Sequence, residues 1–376
     1  MRPIRIIRSK KFKVIGFIFI AAIVIGSVFY LGILNFTDQE VFSGKVMRTE
    51  LVEQEEFGQS IQYQHLYVQL SDGPDKDNLV ELDEVVENVN RDFWLETGDK
   101  ILVSSFEDEN GEAMYVLSDV DRRPVLYVMW ALFVFLVVWV GRGKGLLSVV
   151  GLILTFFVIF AFIIPKLIEG SDPVKVSIVG VFFMLPAVLY LSHGFNKKSN
   201  IAAIGTAISV FLIVVLYEVF SVLGNISGFS SEETTYLPQL LGTNDLRGVL
   251  LAGIIIGAVG MLDDITVNQV SVVAELKEAN PQYGFKNLWL GAMRVGRDHI
   301  NAIINTLFLA YTGASFPLLI LLYANNQPGA ITLSGEGVMT EIMRAMLGSM
   351  GVVASVPITT FLASYIFSRS KKDKTK

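Results

Sequence analysis

Long apolar runs with almost no charge recur along the chain, and each is close to the ~20 residues that a membrane-spanning helix needs. About eight such runs predict a polytopic α-helical membrane protein. The first run, residues 14–34, is longer than the core of a cleaved signal peptide and follows a basic segment at 1–13, so we interpret it as an uncleaved signal anchor. The other predicted spans are approximately residues 124–140, 146–165, 174–191, 201–223, 249–262, 299–323 and 342–367.

The charges between the predicted spans differ on the two sides of the membrane. The short links 141–145 and 193–200 contain Lys and Arg, whereas the links around 169–172 and 232–245 are acidic. Lys and Arg concentrate in cytoplasmic loops. The pattern therefore places both termini, including the basic tail at 369–376, in the cytoplasm of a protein that crosses the cell (plasma or inner) membrane several times.

Between the first two predicted spans, residues 35–123 form an acidic module. It contains 22 acidic and 7 basic residues, whereas the whole chain has a net charge of −6. Short alternating runs separated by turn signals, among them Asn110-Gly111, predict five strands. Five short strands are typical of a small all-β, OB-like barrel, which the predicted topology places outside the cytoplasm. The negative charge argues against nucleic acid as a partner.

The sequence lacks the signatures of familiar enzyme chemistry. It contains no cysteine, which excludes disulfides and thiolate catalysis. Its three histidines are far apart, and no zinc-hydrolase, P-loop or G-x-S-x-G motif occurs. We therefore expect no enzymatic activity, no cofactor and no bound metal. The clustered carboxylates at 72–77 and 107–109 are interpreted as solvated turns rather than as a Ca²⁺ site.

A stripe of small residues runs along the sixth predicted span. Gly253, Gly257 and Gly260 recur at i, i+4 and i+7, so they share one helical face. Small residues at this spacing allow helices to approach closely in lipid. We interpret the three glycines as a helix-packing surface.

Polar residues continue the pattern after the glycines, beginning at Asp263. Four of them share one helical face: Asp264, Asn268, Ser271 and Glu275. A carboxylate inside the hydrocarbon is costly and indicates function. A striped polar face is equally typical of an amphipathic helix at the cytoplasmic surface. Both interpretations stay open, as does whether residues 249–279 form one helix or two.

A second polar stripe enters the seventh predicted span, where Asp298, Asn301 and Asn305 recur at i, i+3 and i+7. The segment 263–298 is interpreted as a re-entrant or cytoplasmic part of a seven-helix bundle at 124–368. If it is re-entrant, the two stripes would meet and line a path for an ion or solute. The alternative is that these side chains form hydrogen bonds between helices.

Two motifs resemble the YibE/F-like family of bacterial multi-pass membrane proteins. One is the run G-A-V-G-M-L-D-D at 257–264, followed by a helix that ends in the sequence E-L-K-E-A-N-P at 275–281; the other is G-R-D-H-I-N-A at 296–302. The resemblance implies a signal anchor, an extracytoplasmic β domain and a helical bundle, but it implies no substrate. It also identifies five residues to test: Asp263, Asp264, Glu275, Asp298 and His299.

Two functions are expected from these patterns. The first is a secondary transporter or channel for an ion or small solute, in which Asp264, Glu275 and Asp298 bind an ion or proton and the asparagines on the two stripes coordinate the solute. The alternative is a non-transporting envelope scaffold, sensor or assembly factor, which binds an envelope protein through the β domain. The lipid bilayer is a partner in either case.

Overall fold

The structure is a computed structural model that describes residues 41–369 except for 57–58, 87–93, 108–112, 231, 243–244 and 325–327. The predicted signal anchor at 14–34 and the tail after 369 lie outside the described residues. Two compact units divide the chain, with the boundary in sequence between Arg142 and Gly143. Each unit has its own hydrophobic core, one on a β-sheet and the other among helices.

The first unit contains a five-stranded antiparallel sheet in the order β3-β2-β1-β4-β5. The strands are β1 (Val41–Glu56), β2 (Gln59–Leu70), β3 (Leu79–Val86), β4 (Lys100–Glu107) and β5 (Ala113–Val120). The 16-residue β1 is central, because it pairs with β2 over most of its length and with β4 at its start. The edge strands β3 and β5 approach each other, so the sheet curls into a half-barrel. Its OB-like assignment stays a prediction.

Alternation along the strands builds the core of this half-barrel. In β2, Leu66, Val68 and Leu70 are buried, whereas the residues between them are half-exposed. Gln64 is a buried polar exception on this strand. Its amide Nε2 donates to the Leu95 carbonyl at 2.7 Å and its Oε1 accepts from the Leu95 N–H at 3.2 Å. The Gln64 side chain thus satisfies both backbone hydrogen-bonding groups of Leu95, which lies in the segment that precedes β4.

Helices form nearly all of the remaining described chain. They are α1 (Arg123–Val158), a π-helical turn (Ile159–Ile163), α2 (Ile164–Ile168), α3 (Pro173–His193), α4 (Lys197–Leu223), α5 (Glu232–Leu241), α6 (Leu246–Ala279), α7 (Phe285–Ala314), α8 (Phe316–Ala324), α9 (Gly329–Ser334) and α10 (Glu336–Arg369). The sequence supplies caps at helix starts. Asp172 accepts from the Lys175 N–H and Asn196 from the Ser199 N–H, each at 3.0 Å.

Five helical stretches are long and apolar enough to cross a membrane, namely residues 123–168, α3, α4, α6 and α10. Helices α7 and α8 give a sixth if the 64° bend between them lies within one span. The described chain is therefore that of a helical membrane protein with a β half-barrel. The count of eight spans stays a prediction.

The stretch 123–168 is too long for one simple span. Its 46 residues would extend for about 69 Å, which is more than twice the ~30 Å hydrocarbon core. Helical geometry breaks at Arg142, where φ is 50° and ψ is −132°. This break falls between the predicted spans 124–140 and 146–165.

Helices α4, α6 and α10 form the centre of the second unit. Two glycines allow α4 and α10 to approach closely. A Cβ on Gly205 of α4 would overlap the Thr359 side chain of α10, and a Cβ on Gly351 of α10 would overlap the Ile213 side chain of α4. Helix α7 joins α10 in the same way at Gly296. The central helices can pack this closely because glycine has no side chain at these positions.

The close α4–α10 contact predicts that valine destabilises the protein at Gly205 but much less at Gly253. Gly205→Val should destabilise the protein by about 1–3 kcal/mol, because the added atoms force the helices apart. Gly253→Val is the matched control, since a Cβ there meets no atom within 4 Å. Thermal unfolding of the detergent-solubilised protein measures both. Equal unfolding temperatures for the two variants would contradict the packing assignment.

Candidate functional site

Two consecutive aspartates in α6 lie in opposite environments. This helix is continuous for 34 residues, so residues 249–279 form one helix rather than two. Successive side chains on a helix point about 100° apart. The Asp263 side chain consequently faces the interior, with the residue 5% exposed, while Asp264 is exposed. Among the described residues, Asp263 is the one buried Asp, Glu, Lys or Arg.

One helical turn after Asp263, a pair of threonines joins α4 to α6. The hydroxyls of Thr206 and Thr266 are 2.9 Å apart, and Thr266 Oγ1 also contacts the Asp263 carbonyl oxygen at 3.1 Å. A hydroxyl has one proton. With the Thr266 proton donated to this carbonyl, Thr206 is the donor within the pair. Within the described chain, Asp263 Oδ1 is buried and has no hydrogen-bond partner.

Gln269 extends the polar interior to two further helices. Its Nε2 donates to the Ala292 carbonyl of α7 at 2.9 Å and to Thr360 Oγ1 of α10 at 2.7 Å. Thr360 Oγ1 in turn donates to the Val356 carbonyl at 2.6 Å. One side chain from α6 thereby holds α7 and α10.

Thr359 completes the group on α10. It packs against Gly205, next to Thr206 on α4, and its buried Oγ1 has no hydrogen-bond partner among the described residues. We call this set the polar core cluster, and its members are Asp263, Thr266, Gln269, Thr206, Thr359 and Thr360.

The polar core cluster offers oxygen ligands and a single carboxylate at the centre of an apolar bundle. Carboxylate, hydroxyl and amide oxygens bind protons, hard cations or hydrogen-bonding solutes. In the described ranges, no group of three or more His, Cys, Asp or Glu residues is placed to hold a metal ion. The chemistry available here is that of one buried carboxylate among neutral polar side chains, with a second carboxylate, Asp264, exposed at the next position of the helix.

The first predicted stripe lies on the opposite, outward face of α6. Asp264, Asn268 and Glu275 are exposed, and Ser271 is half-buried. The three glycines predicted for helix packing extend this exposed face: Gly253, Gly257 and Gly260. A Cβ on the first or the last of these meets no atom within 4 Å, and one on the second lies 3.8 Å from the Tyr311 hydroxyl.

The second predicted stripe is also exposed. Asp298, Asn301 and Asn305 lie on the outward side of α7. Helices α6 and α7 are antiparallel neighbours, with Gly291 beside Leu276 at one end and Tyr311 beside Gly257 at the other. Both stripes fall in this shared stretch, and neither reaches the polar core cluster. Of the predicted site residues, the interior receives Asp263 alone.

Sequence reasoning missed most of the interior residues. Thr266 follows Asp263 by three positions, so the two polar residues share a helical face that is otherwise apolar, and this spacing was a readable signal. The contributions of α4 and α10 depend on which helices pack together. Nothing local in the sequence around Thr206 or Thr360 indicates that Gln269 or Thr266 is their neighbour.

A comparison with known families identifies the helical unit. The model of the YibE/F-like protein family matches residues 129–369, which is more than half of the chain. This chain belongs to the YibE/F-like family. The resemblance inferred from the two sequence motifs is confirmed. The match includes α3 to α10 and all members of the polar core cluster, whereas β1 to β5 precede it. No curated protein and no solved structure matches the chain.

The hydrogen bonds of Gln269 predict that it stabilises this YibE/F-like bundle. Gln269→Ala should lower the free energy of unfolding by about 2 kcal/mol, since it removes two hydrogen bonds and leaves a cavity between three helices. The neighbouring exposed Asn268→Ala is the control and should change stability by less than about 0.5 kcal/mol. Chemical or thermal unfolding in detergent compares them. A loss in Asn268→Ala as large as that in Gln269→Ala would count against the assignment.

Proposed function

We propose that this YibE/F-like protein is a secondary transporter or channel for an ion or small solute, with Asp263 as the central binding residue. The supporting observation is the burial of this carboxylate where the apolar first half of α6 ends and its polar second half begins. Asp263 lies 17 residues after Leu246, about 26 Å along a helix of about 51 Å. An ionisable residue at membrane depth is expensive and is a functional hypothesis by default.

The surroundings of Asp263 favour a binding role over a structural one. Buried charges that serve structure are normally paired and hydrogen-bonded. In the described parts of the chain, no cationic side chain lies within 4.0 Å of Asp263, and its Oδ1 is unsatisfied. An unsatisfied oxygen is available to a proton, a cation or a donor group of a solute. The hydroxyls of the polar core cluster supply further polar groups in the same buried part of the bundle.

The proposal includes the finer topology. The break at Arg142 divides residues 123–168 into two spans, and α7 with α8 forms one bent span. With α3, α4, α6 and α10 this gives seven spans, and the predicted anchor at 14–34 makes eight. An even number returns the basic tail to the side of the basic N-terminus, in the cytoplasm of a plasma or inner membrane.

The outward stripes have a subsidiary place in this proposal. Their carboxylates and amides contact the ion or solute on its approach, as the sequence pattern suggested. The residues concerned are Asp264, Asn268, Ser271, Glu275, Asp298, Asn301 and Asn305. These side chains are exposed or half-buried on the surface of the chain, which supports their contact with water or with another molecule.

The adjacent aspartates provide the test. Purified protein in liposomes should carry a flux of protons, Na⁺, K⁺ or a small solute under an imposed gradient. Asp263→Asn should reduce that flux by about tenfold or more, because it removes the one charged side chain that is buried in the described part of the chain. Asp264→Asn differs from it by one position and should reduce the flux by a smaller factor, since Asp264 contacts the ion or solute only on its approach.

Control measurements separate transport from folding. Both variants should reconstitute in equal amounts and unfold at similar temperatures. The proposal fails if the wild-type protein moves nothing across a broad panel of ions and solutes. A selective loss in Asp264→Asn would instead move the central role to the outward stripe.

A specific surface supports the second function, that of a scaffold or sensor. Phe106 and Met114 are paired across β4 and β5, and they are 43% and 57% exposed, with Val116 on the same face at 44%. Exposed apolar patches are typical of protein-binding surfaces. If this function is correct, Met114→Ser with Val116→Ser should abolish cross-linking to an envelope protein while leaving liposome flux unchanged. Unchanged cross-linking would exclude this surface as the binding site.

A further inference from the structure

Four aromatic side chains pack together where α7 begins and α10 ends. Phe285 stacks on Trp289 within α7, with ring centroids 6.2 Å apart, and Phe361 stacks on Tyr365 within α10 at 6.4 Å. The two pairs cross edge to face, because Phe361 lies 5.4 Å from Phe285 and 6.1 Å from Trp289. We call this group the aromatic cluster.

The aromatic cluster is part of the surface rather than of the core. Phe361 is 51% exposed and Tyr365 is 43% exposed, while the other two rings are half-buried. Aromatic rings with one apolar and one wet side favour the membrane–water boundary. The start of α7 and the end of α10 are where such a boundary is expected for two spanning helices.

Positive charge lies directly beside these rings. The guanidinium carbon of Arg369 is 4.1 Å from the centroid of the Tyr365 ring, which holds the cation against the cluster. Lys286 follows Phe285 in the first turn of α7 and is exposed. In the described part of the chain, neither cation has a carboxylate within 4.0 Å, and the sequence after Arg369 adds four lysines and one aspartate.

We propose that the aromatic cluster with Lys286 and Arg369 binds the headgroup of an anionic phospholipid. The rings cover the glycerol and upper acyl chain, and the two cations contact the phosphate and the additional negative charge of the headgroup. A zwitterionic lipid would contact the rings in the same way, but it would not neutralise the positive charge of Lys286 and Arg369. The inference is independent of any transport activity.

Trp289 allows the site to be observed directly. The chain has four tryptophans, so replacing Trp94, Trp130 and Trp139 by Phe leaves one reporter within the cluster. This variant in bilayers is mixed with phosphatidylglycerol or phosphatidylcholine that carries brominated acyl chains, and quenching of Trp289 measures the occupancy of each lipid. Phosphatidylglycerol should be preferred. Lys286→Gln with Arg369→Gln should reduce that preference by about 30-fold, the factor expected from two cations at a membrane surface.

A matched pair of charges provides the control. Lys197→Gln with Lys198→Gln removes two exposed cations at the start of α4 and should leave the preference at Trp289 unchanged. Equal quenching by both lipids, or an equal loss in the control variant, would overturn the proposal. If the triple Phe variant does not fold, native mass spectrometry of the protein with all four tryptophans replaces the quenching experiment. It counts the phosphatidylglycerol molecules retained by the wild-type protein, by Lys286→Gln with Arg369→Gln, and by the control variant. The first double variant should retain fewer than the other two proteins.

Discussion

The close contact between α4 and α10 is the constraint on which the helical unit depends. Lipid offers little hydrophobic driving force for helix association, so helices that span a membrane rely on packing and on hydrogen bonds between them. Here Gly205 and Gly351 provide the packing, because each leaves room for a side chain of the other helix. The hydroxyls and the amide of the polar core cluster provide the hydrogen bonds. Helix α6 packs against both of these helices, and in the described part of the chain Asp263 is the one buried charged residue.

Helix α6 has a buried face, which includes Asp263, and an exposed face. The inward face packs against protein, where leaving the Asp263 oxygen without a hydrogen-bond partner costs free energy. The outward face consists of glycines followed by polar residues, from Gly253 to Glu275, and most of these residues are exposed. A single continuous helix thus connects a buried acid to an exposed polar surface.

Much of the architecture could be predicted from sequence because its signals are local. Runs of apolar residues determine where helices cross a membrane, and alternating residues such as Leu66, Val68 and Leu70 determine which face of a strand is buried. The break at Arg142 followed from two apolar runs separated by a short basic link. The family followed from two motifs near Asp263 and Asp298.

The candidate site was less predictable for a physical reason. A helical wheel identifies which residues share a face, but it does not tell which face is turned inward. The pattern gave weight to Asp264 because it aligns with Asn268 and Glu275, whereas Asp263 precedes a face dominated by valine. Only the packing of α4 and α10 against α6 decides between the two aspartates. The pairing of Thr206 with Thr266 depends on contacts 60 positions apart in sequence.

Thiol accessibility of single cysteines tests the orientation of α6 most directly, since the chain is naturally free of cysteine. Cysteines at positions 263, 264, 266 and 268 would each be exposed to a small membrane-impermeant maleimide in liposomes, from either side. The account predicts that 264 and 268 react and that 263 and 266 are protected. Rapid labelling at 263 and 266, with protection at 264 and 268, would show that the helix faces the other way and would contradict the assignment of the interior site.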